Sequence, residues 1–230
     1  DCTHIPEISC FYSDTIASHI LNPSAHFEYE MILVTDGSAQ VQIHDRTYPL
    51  QCGSLLFISR LEQHQFCIVK EPYCRYVLSV SSDLLLSHLN EPRLASIFMQ
   101  RPEYFSHVVQ LNEEQLAYFL PFFQKNADEY EKQPDFYTLQ SIALLLSILI
   151  SLYRLYPNAF PMEDSSSLSA AVLNAQIYVS RHFNRKLTLQ EIADQCFLNR
   201  HTLSLAFKEI VGITFKEYLL LFRITEAKKL

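Results

Sequence analysis

The stretch LTLQEIADQCFLNRHTLSLAFKEIVGITFKEYL, Leu187–Leu219, decides the fold of the C-terminal part of this chain. Thr188 followed by Glu191 predicts a capping box at the start of a helix. After the break FLN, Asn199 is a favoured N-cap for a second helix, and Gly212 suits the left-handed cap at its end. The pattern therefore predicts a helix, a tight turn and a second helix.

The second helix has two different faces. Apolar residues at helical spacing form one face: Leu203, Ala206, Phe207 and Ile210. The opposite face carries polar and apolar side chains: His201, Ser204, Leu205 and Lys208. Thr214 and Glu217 then predict a capping box for a third helix. A helical hairpin without a ligand would satisfy the same pattern.

Charge is divided unevenly along the 230 residues. Residues 1–164 carry 9 Lys and Arg against 20 Asp and Glu, whereas residues 165–230 carry 9 against 5. The formal net charge of -7 thus belongs to the first part, and the helical end is basic. Such asymmetry is typical of a two-part protein with a nucleic-acid-binding end. A solvated basic face is the simpler alternative.

Composition places the chain among ordinary globular proteins. It is 49% apolar and 19% charged, which is enough to form cores and excludes extended disorder. The longest apolar stretch, Ser141–Tyr153, is predicted to be too short to cross a bilayer, and no signal peptide is recognised. The six cysteines lack finger spacing and are predicted to be reduced thiols in a cytoplasmic protein.

The first 80 residues or so alternate in the manner of strands. The stretch EMILVTDGSAQVQIH is predicted to form a hairpin around Asp36–Gly37, and a second pair of strands is predicted around Gly53. QFCIVK and CRYVLSVS are predicted as two further strands. Many short strands with frequent turn signals indicate a small barrel or sandwich.

The sequence pattern changes from strand-like to helical after Ser81. Two longer helices are predicted, and the second, about Asp135–Tyr156, is apolar almost all round. We expect it to be covered by its own domain and by a second subunit, so that residues 113–156 form a homodimer interface. The predicted domains are residues 1–156, a proline-bearing linker at 157–168, and an all-α domain at 169–230.

The order of these parts resembles the AraC/XylS family of bacterial transcriptional regulators. Over Ile177–Leu230 the chain has the residues that the family's DNA-binding domains share: Ala193, Leu203, Phe207, Lys208, Gly212, Tyr218, Arg223 and Ala227. The resemblance implies an α+β protein with a cupin-like β-barrel, a helical dimerisation segment and a helix-turn-helix domain. Family domains have two such units, so the chain is expected to be truncated at Leu230.

The N-terminal half resembles the family's sensory cupin. His26, Glu30 and Gly37 have the spacing of the first cupin motif, and Gly53 and His64 have that of the ends of the second. The first motif's leading histidine falls on Ser24, and the second motif's proline and middle glycine fall on Ser59 and Leu61.

These resemblances imply two partners, an operator in double-stranded DNA and a small-molecule effector. Within the predicted groove-facing surface, His201 and Ser204 can hydrogen-bond base edges, and Leu205 can contact a thymine methyl. Phosphate contacts are predicted for a further set: Lys208, Arg200, Lys216 and the helix end at Thr188.

The effector is predicted to be small, polar and sugar-like, and to contact His26, Glu30 and His64, with Tyr29 and Tyr48 as additional candidates. No cofactor, metal or enzymatic activity is expected. The alternative is a metal-dependent cupin enzyme or a metal sensor, because two histidines and a carboxylate also form a metal-ligand set. Redox sensing by Cys52, Cys67 or Cys74 is a third class.

Overall fold

The computed structural model of the chain describes residues 7–15, 20–89, 91–161 and 167–228. The contacts between its residues define two compact units. The strand-rich unit comprises Pro6–Leu89 and Ser106–Ala159, and the helical unit includes Asn90–Phe105 and Phe160–Leu230. The sequence did not indicate that Asn90–Phe105 belongs with the helical unit. The domain boundaries 1–156, 157–168 and 169–230 stay a prediction, and residues 162–166 of that linker lie outside the described residues.

The strand-rich unit contains an antiparallel sheet of six strands. The strands are β1 (Ile8–Thr15), β2 (Tyr29–Ile43), β3 (Arg46–Gln51), β4 (Ser54–Ile58), β5 (His64–Val80) and β6 (Val108–Gln110). Their order is β1-β5-β2-β4-β6, and β3 also pairs with β2. The two strands predicted around Gly53 are present as β3 and β4, but each pairs with β2 and not with the other. The two long strands β2 and β5 pair along most of their lengths and join the other strands into one sheet.

The hairpin predicted at Asp36–Gly37 is wrong. β2 runs through these residues as one strand, with register shifts against β5 between Val34 and Ala39. Gly37 has a positive φ of 72°. A glycine in this conformation serves a β-bulge as well as a hairpin turn, and the sequence does not distinguish the two. QFCIVK and CRYVLSVS likewise form one strand, β5.

Apolar side chains from the sheet form the core of the strand-rich unit. β4 is buried at each of its residues, since β2 and β6 flank it. The remaining core side chains come mainly from β2 and β5: Ile32, Val34, Ala39, Val41, Ile43, Ile68, Tyr73 and Val77. This arrangement confirms the α+β class, with an antiparallel sheet domain preceding helices.

Eight helices accompany the sheet in the described residues. They are α1 (Ser82–His88), α2 (Pro92–Met99), α3 (Glu113–Lys132), α4 (Tyr137–Leu155), α5 (Ser167–His182), α6 (Leu189–Gln195), α7 (Arg200–Val211) and α8 (Phe215–Lys228). The predicted helices of the C-terminal segment are confirmed. Asn112 begins α3 with a capping box that includes Gln115, and Gln133 ends it in a left-handed conformation.

Helix α4 corrects the length argument drawn from Ser141–Tyr153. The helix has 19 residues, and among the described residues it is the one helix long and apolar enough, by length and composition, to cross a membrane. A core helix of a globular domain meets the same criteria. α4 packs on α3 and β1, and seven of its residues are buried: Ser141, Ile142, Leu144, Leu145, Ile148, Leu149 and Leu152.

Local capping fixes the ends of the C-terminal helices. The Asn199 carboxamide accepts a hydrogen bond from the Thr202 amide at 2.8 Å, and Gly212 ends α7 with φ 83°. Thr214 and Glu217 form the predicted reciprocal capping box at the start of α8. These caps satisfy backbone groups that a helix terminus would otherwise leave unpaired.

We expect Gly37→Ala to destabilise the strand-rich unit more than Gly212→Ala destabilises the helical unit. Both glycines have positive φ, which costs an alanine about 1–2 kcal/mol. At Gly37 the new Cβ would also overlap the Pro72 carbonyl oxygen, whereas at Gly212 nothing lies within 4 Å. Both losses are measured as the change in the free energy of unfolding in urea, with amide hydrogen exchange reporting on each unit separately. Equal losses for the two variants would contradict the interpretation.

Candidate effector site and DNA-binding helices

Three predicted effector residues come together in the strand-rich unit, although Glu30 and His64 stand near opposite ends of the β2–β5 ladder. His26 Nε2 lies 3.2 Å from Glu30 Oε2, and the His26 and His64 rings are 5.2 Å apart between centroids. One ligand atom from each of the three side chains lies within 4.8 Å of the other two. The grouping requires a long-range contact, because the segment after β4 returns beside β2 with the Leu61 amide hydrogen-bonded to the His26 carbonyl.

Backbone carbonyls orient both imidazole rings of this cluster. His26 Nδ1 lies 3.0 Å from the Glu28 carbonyl oxygen, and His64 Nδ1 lies 2.9 Å from the Glu62 carbonyl oxygen. A carbonyl only accepts, so each Nδ1 must carry the hydrogen. The Nε2 atoms are therefore left for the cluster. The Ser79 hydroxyl donates to Glu30 Oε1 at 3.0 Å, which fixes the carboxylate from its other side.

The pKa values of His26, Glu30 and His64 shift in different directions. Burial alone would raise the pKa of Glu30, but His26, His64 and Ser79 together hold that pKa below its ordinary value. Burial likewise works to lower the pKa of His26, and its carboxylate and carbonyl partners reverse the sign and raise it. Burial is the largest effect on His64 and lowers its pKa. These directions favour a charged His26–Glu30 pair beside a neutral His64.

The two predicted tyrosines lie in different surroundings. Tyr29 is buried at the start of β2, with the Arg60 guanidinium 5.6 Å from the centre of its ring. The Tyr48 hydroxyl lies 2.9 Å from His107 Nδ1. Tyr48 therefore belongs to a second polar cluster, which is centred on His107.

Glu62 and His107, which the sequence reasoning missed, form the centre of this second cluster. Their side chains are 2.8 Å apart, between Oε1 and Nε2, and the residues are only 5% and 6% exposed. The Glu62 carbonyl also accepts from His64, so one residue joins the two clusters. A charged residue two positions before His64 was the only signal available, and nothing local indicated that His107 would pack against it.

Cys10 and Cys52 do not have the character of reactive thiols. Burial raises the pKa of Cys10 to about 12. Burial, followed by the charges of Asp36 and Glu113, raises the pKa of Cys52, whose thiol donates to the Thr35 carbonyl at 3.0 Å. A redox sensor needs a lowered thiol pKa, so Cys52 loses support as a sensing residue.

Helix α7 presents the two faces that its sequence predicts. Leu203, Ala206 and Phe207 are buried. The side chains proposed for DNA contact are all exposed: Thr188, Arg200, His201, Ser204, Leu205, Lys208 and Lys216. Ile210, which was placed on the core face, is only partly buried and lines a cleft of about 350 Å³ together with Gln100–Tyr104.

Charged side chains around α6 form contacts within the helical unit, so these charges are not available to DNA. Thr188 caps α6 as predicted, but the strongest contacts of Glu191 are with Arg185, 2.5 Å away, and with the Tyr178 hydroxyl, 2.8 Å away. Arg223 donates to the carbonyl oxygens of Phe183 and Arg185. The main role of Glu191 is thus to join α5 to α6, since a local capping pattern does not exclude a stronger charged partner.

The turn between α6 and α7 contains a residue that the sequence reasoning did not single out. Phe197 is 97% exposed and has φ 55°. A positive φ is uncommon for an aromatic residue, and such strain is held in place by the packing of the two flanking helices.

Two protein-family models match the chain. The model described as "AraC-like ligand binding domain" matches residues 6–149. The model described as "Bacterial regulatory helix-turn-helix proteins, AraC family" matches residues 179–220. The first match covers the sheet and the greater part of α4, and the second covers the helices from the end of α5 to α8.

Known proteins share parts of this arrangement. The chain is 40% identical over 52 residues to the bifunctional transcriptional activator/DNA repair enzyme AdaA of Bacillus subtilis (strain 168), which is 23% of this chain and 25% of AdaA. The match thus spans about a quarter of that relative.

Two solved structures align with most of the chain. Apo ToxT K231A from Vibrio cholerae strain SCE256 aligns over 94% of this chain and 98% of its own, at 10% identity and a TM-score of 0.44. The AraC-like transcriptional activator CuxR aligns over 88% of this chain and 68% of its own, at 12% identity and a TM-score of 0.42.

The family models cover both parts of the chain, and the larger one spans more than half of it. The chain therefore belongs to the AraC family, as a DNA-binding transcriptional regulator with an N-terminal ligand-binding domain and a C-terminal helix-turn-helix domain.

Proposed function

We propose that this regulator binds a specific operator through α7 and that a small polar effector in the sheet domain controls it. The observation that carries the proposal is the division of α7 into a packed apolar face and an exposed face able to contact bases and phosphates. The protein acts without catalysis and in the cytoplasm, where the chromosome of a bacterium lies. The DNA repair activity in the name of AdaA is stated of that protein alone, because this chain matches only a quarter of its length.

Each exposed residue of α7 has a distinct role in this proposal. His201 and Ser204 hydrogen-bond base edges in the major groove, and Leu205 contacts a thymine methyl. Lys208 contacts a phosphate, which fixes the register of the helix without reading sequence. A second set of phosphate contacts lies at the ends of the helices: Arg200, Lys216 and the amide end of α6 at Thr188.

The effector binds at His26, Glu30 and His64. This cluster combines a carboxylate with two imidazoles whose orientation the backbone fixes, so it is prepared to hydrogen-bond hydroxyl groups of a sugar-like molecule. Tyr29 is a neighbouring candidate, and Tyr48 is proposed to act through His107 at the edge of the site.

The regulator forms a homodimer through α3 and α4. Leu139, Ala143, Ser147 and Ile150 lie on one exposed face of α4. Tyr118 of α3 borders this face and its hydroxyl lies 3.1 Å from Ser151 Oγ. An exposed apolar stripe on two joined helices is suited to a second copy of itself, and a dimer presents two helix-turn-helix units to spaced half-sites.

DNA contacts can be separated by their dependence on salt and sequence. We expect Lys208→Ala to weaken binding to all sequences and to reduce the slope of log K against log salt by about 1. Leu205→Ala should instead relax preference at one base pair by about 1 kcal/mol or more. Fluorescence anisotropy with an operator selected from random DNA measures both effects. The exposed Lys132→Ala is the control for loss of charge, and the proposal fails if it behaves like Lys208→Ala.

Effector binding can be tested with Glu30→Gln. Thermal shift against sugars, amino acids and an unsaturated fatty acid, the ligand of wild-type ToxT in one solved structure, should identify a polar stabiliser. Glu30→Gln keeps the size of the side chain but removes its charge. The affinity for that compound should therefore fall about tenfold or more, and the thermal shift should become smaller. Operator binding by the unliganded variant should be unchanged. Unfolding of the sheet with an unaltered response in the folded fraction would mean that Glu30 is structural.

The dimer can be tested by placing a charge on α4. Ile150→Asp should shift the protein to a monomer in sedimentation at tens of micromolar, because a buried unpaired carboxylate is costly at an interface. Leu155→Asp is the matched control, since Leu155 is 48% exposed on the same helix but points away from the stripe. A dimer that survives Ile150→Asp refutes the assigned interface.

A further inference from the structure

Helix α6 ends in a Schellman motif, in which one residue takes a left-handed conformation. The Leu198 amide donates to the Ala193 carbonyl at 2.9 Å, and the Phe197 amide donates to the Asp194 carbonyl at 3.3 Å. Phe197 is the left-handed residue of this motif, with φ 55°. Glycine is the usual residue at such a position because it has no Cβ, and α7 ends in this way at Gly212 with φ 83°.

The Phe197 ring adds nothing to the packing of the helix-turn-helix. The residue is 97% exposed, so its ring lies outside the core that contains Leu203 and Phe207. Both hydrogen bonds of the motif are made by the backbone, and they would form equally with glycine. A bulky side chain in this conformation costs stability, and residues that keep such strain cluster at functional sites.

We propose that Phe197 is a DNA-contacting residue whose ring makes an apolar contact with a thymine methyl group, at the edge of the site that α7 reads. The inference rests on the proposed function in one respect, that α7 enters the major groove of the operator. It adds to the proposed DNA contacts an aromatic side chain from the turn before the recognition helix.

The position of Phe197 along the chain brings it to the DNA surface. Only Leu198 separates it from Asn199, the N-cap of α7, and three residues span at most about 11 Å. The N-terminal residues of a recognition helix are those that reach base edges in the major groove, and here they are the exposed Arg200 and His201. An exposed ring beside them is therefore within reach of a neighbouring base pair.

A contact with a base edge fits the surroundings of the ring better than a contact with phosphates. Asp194 is exposed in the last turn of α6, and the C-terminal end of a helix has a negative partial charge. Both of these charges repel phosphate groups. The phenyl ring has neither charge nor hydrogen-bonding groups, and its natural partner on a base edge is the C5-methyl group of thymine. The expected specificity is thus for an A·T pair whose thymine methyl faces Phe197.

The first experiment compares two glycine substitutions in the full chain, on a single operator half-site so that dimerisation does not contribute. Phe197→Gly should weaken binding by about tenfold, because the apolar contact of the ring is lost. Phe136→Gly is the matched control, since Phe136 also has positive φ, 65°, and is 77% exposed, but lies in the strand-rich unit. Its affinity should equal that of the original protein. Equal weakening by both variants, or none by Phe197→Gly, overturns the proposal.

Stability should change in the opposite direction to affinity. Glycine takes the left-handed conformation without strain, so amide hydrogen exchange in α6 and α7 of the unbound protein should slow by about two- to tenfold in Phe197→Gly. Phe197→Leu keeps an apolar side chain and the strain, and should bind within about threefold of the original. Faster exchange in Phe197→Gly would mean that the ring stabilises the fold and that its loss acts on DNA binding indirectly, which contradicts the proposal.

A deoxyuridine scan of the operator identifies the methyl group. Deoxyuridine lacks the C5-methyl group of thymine and keeps the other groups of that base edge. One substitution should weaken binding by the original protein but not by Phe197→Gly, at a base pair different from the one affected by Leu205→Ala. The salt dependence of binding should be the same in Phe197→Gly as in the original, because no charge is lost. The proposal is wrong if every deoxyuridine substitution affects both proteins equally.

The outcomes separate this inference from the proposed function. If Lys208→Ala and Leu205→Ala change operator binding as expected but Phe197→Gly does not, α7 reads the operator and the inference is wrong. If Phe197→Gly alone weakens binding, the inference stands and the groove face assigned to α7 is wrong. If Phe197→Gly binds the operator normally but lowers transcription in a cell, the ring contacts a protein and the inference is wrong.

Discussion

The pairing of β2 with β5 is the constraint on which the rest of the sheet domain depends. These two strands run antiparallel from Tyr29–Val80 to Ile43–His64, with a bulge where Gly37 passes close to Pro72. β1 adds to β5, and β3 and β4 add to β2, so each of these strands takes its register from one of the two. A residue with a side chain at Gly37 would push the two strands apart at the point where their register shifts.

The same pairing builds the polar cluster. Glu30 stands opposite Ser79 in the ladder, and their side chains hydrogen-bond across it. β4 ends opposite Glu30, so the loop that follows brings Glu62 and His64 back beside His26. Glu30 and Ser79 are 49 residues apart, and strand register brings them together. The chemistry of the cluster is thus a consequence of backbone hydrogen bonding, and the orientation of both imidazoles depends on main-chain carbonyls.

Charge separates the two parts of the regulator. The acidic residues concentrate before residue 165, and the basic ones on the helical end suit a polyanion. Within that end, Arg185 and Arg223 hydrogen-bond Glu191 or backbone carbonyls and serve the fold. Arg200, Lys208 and Lys216 are exposed, which is the state that phosphate contact requires. A net count of basic residues therefore overstates the charge offered to DNA.

The sequence by itself determined the C-terminal helices and the faces of α7. Asn199, Gly212 and the Thr214–Glu217 box act within four residues of themselves, and helical periodicity is equally local, so a single sequence contains the whole signal. It also determined that His26, Glu30 and His64 would be neighbours, through spacing shared with a known family.

Only the tertiary structure decided that Asp36–Gly37 forms a bulge instead of a turn. A positive φ serves both, and the choice depends on how β5 pairs with this segment. Tertiary contacts also paired Glu62 with His107, 45 residues apart, and grouped Asn90–Phe105 with the helical unit. The physical reason is that such contacts join distant segments, and their stability comes from burial and partners that no local pattern specifies.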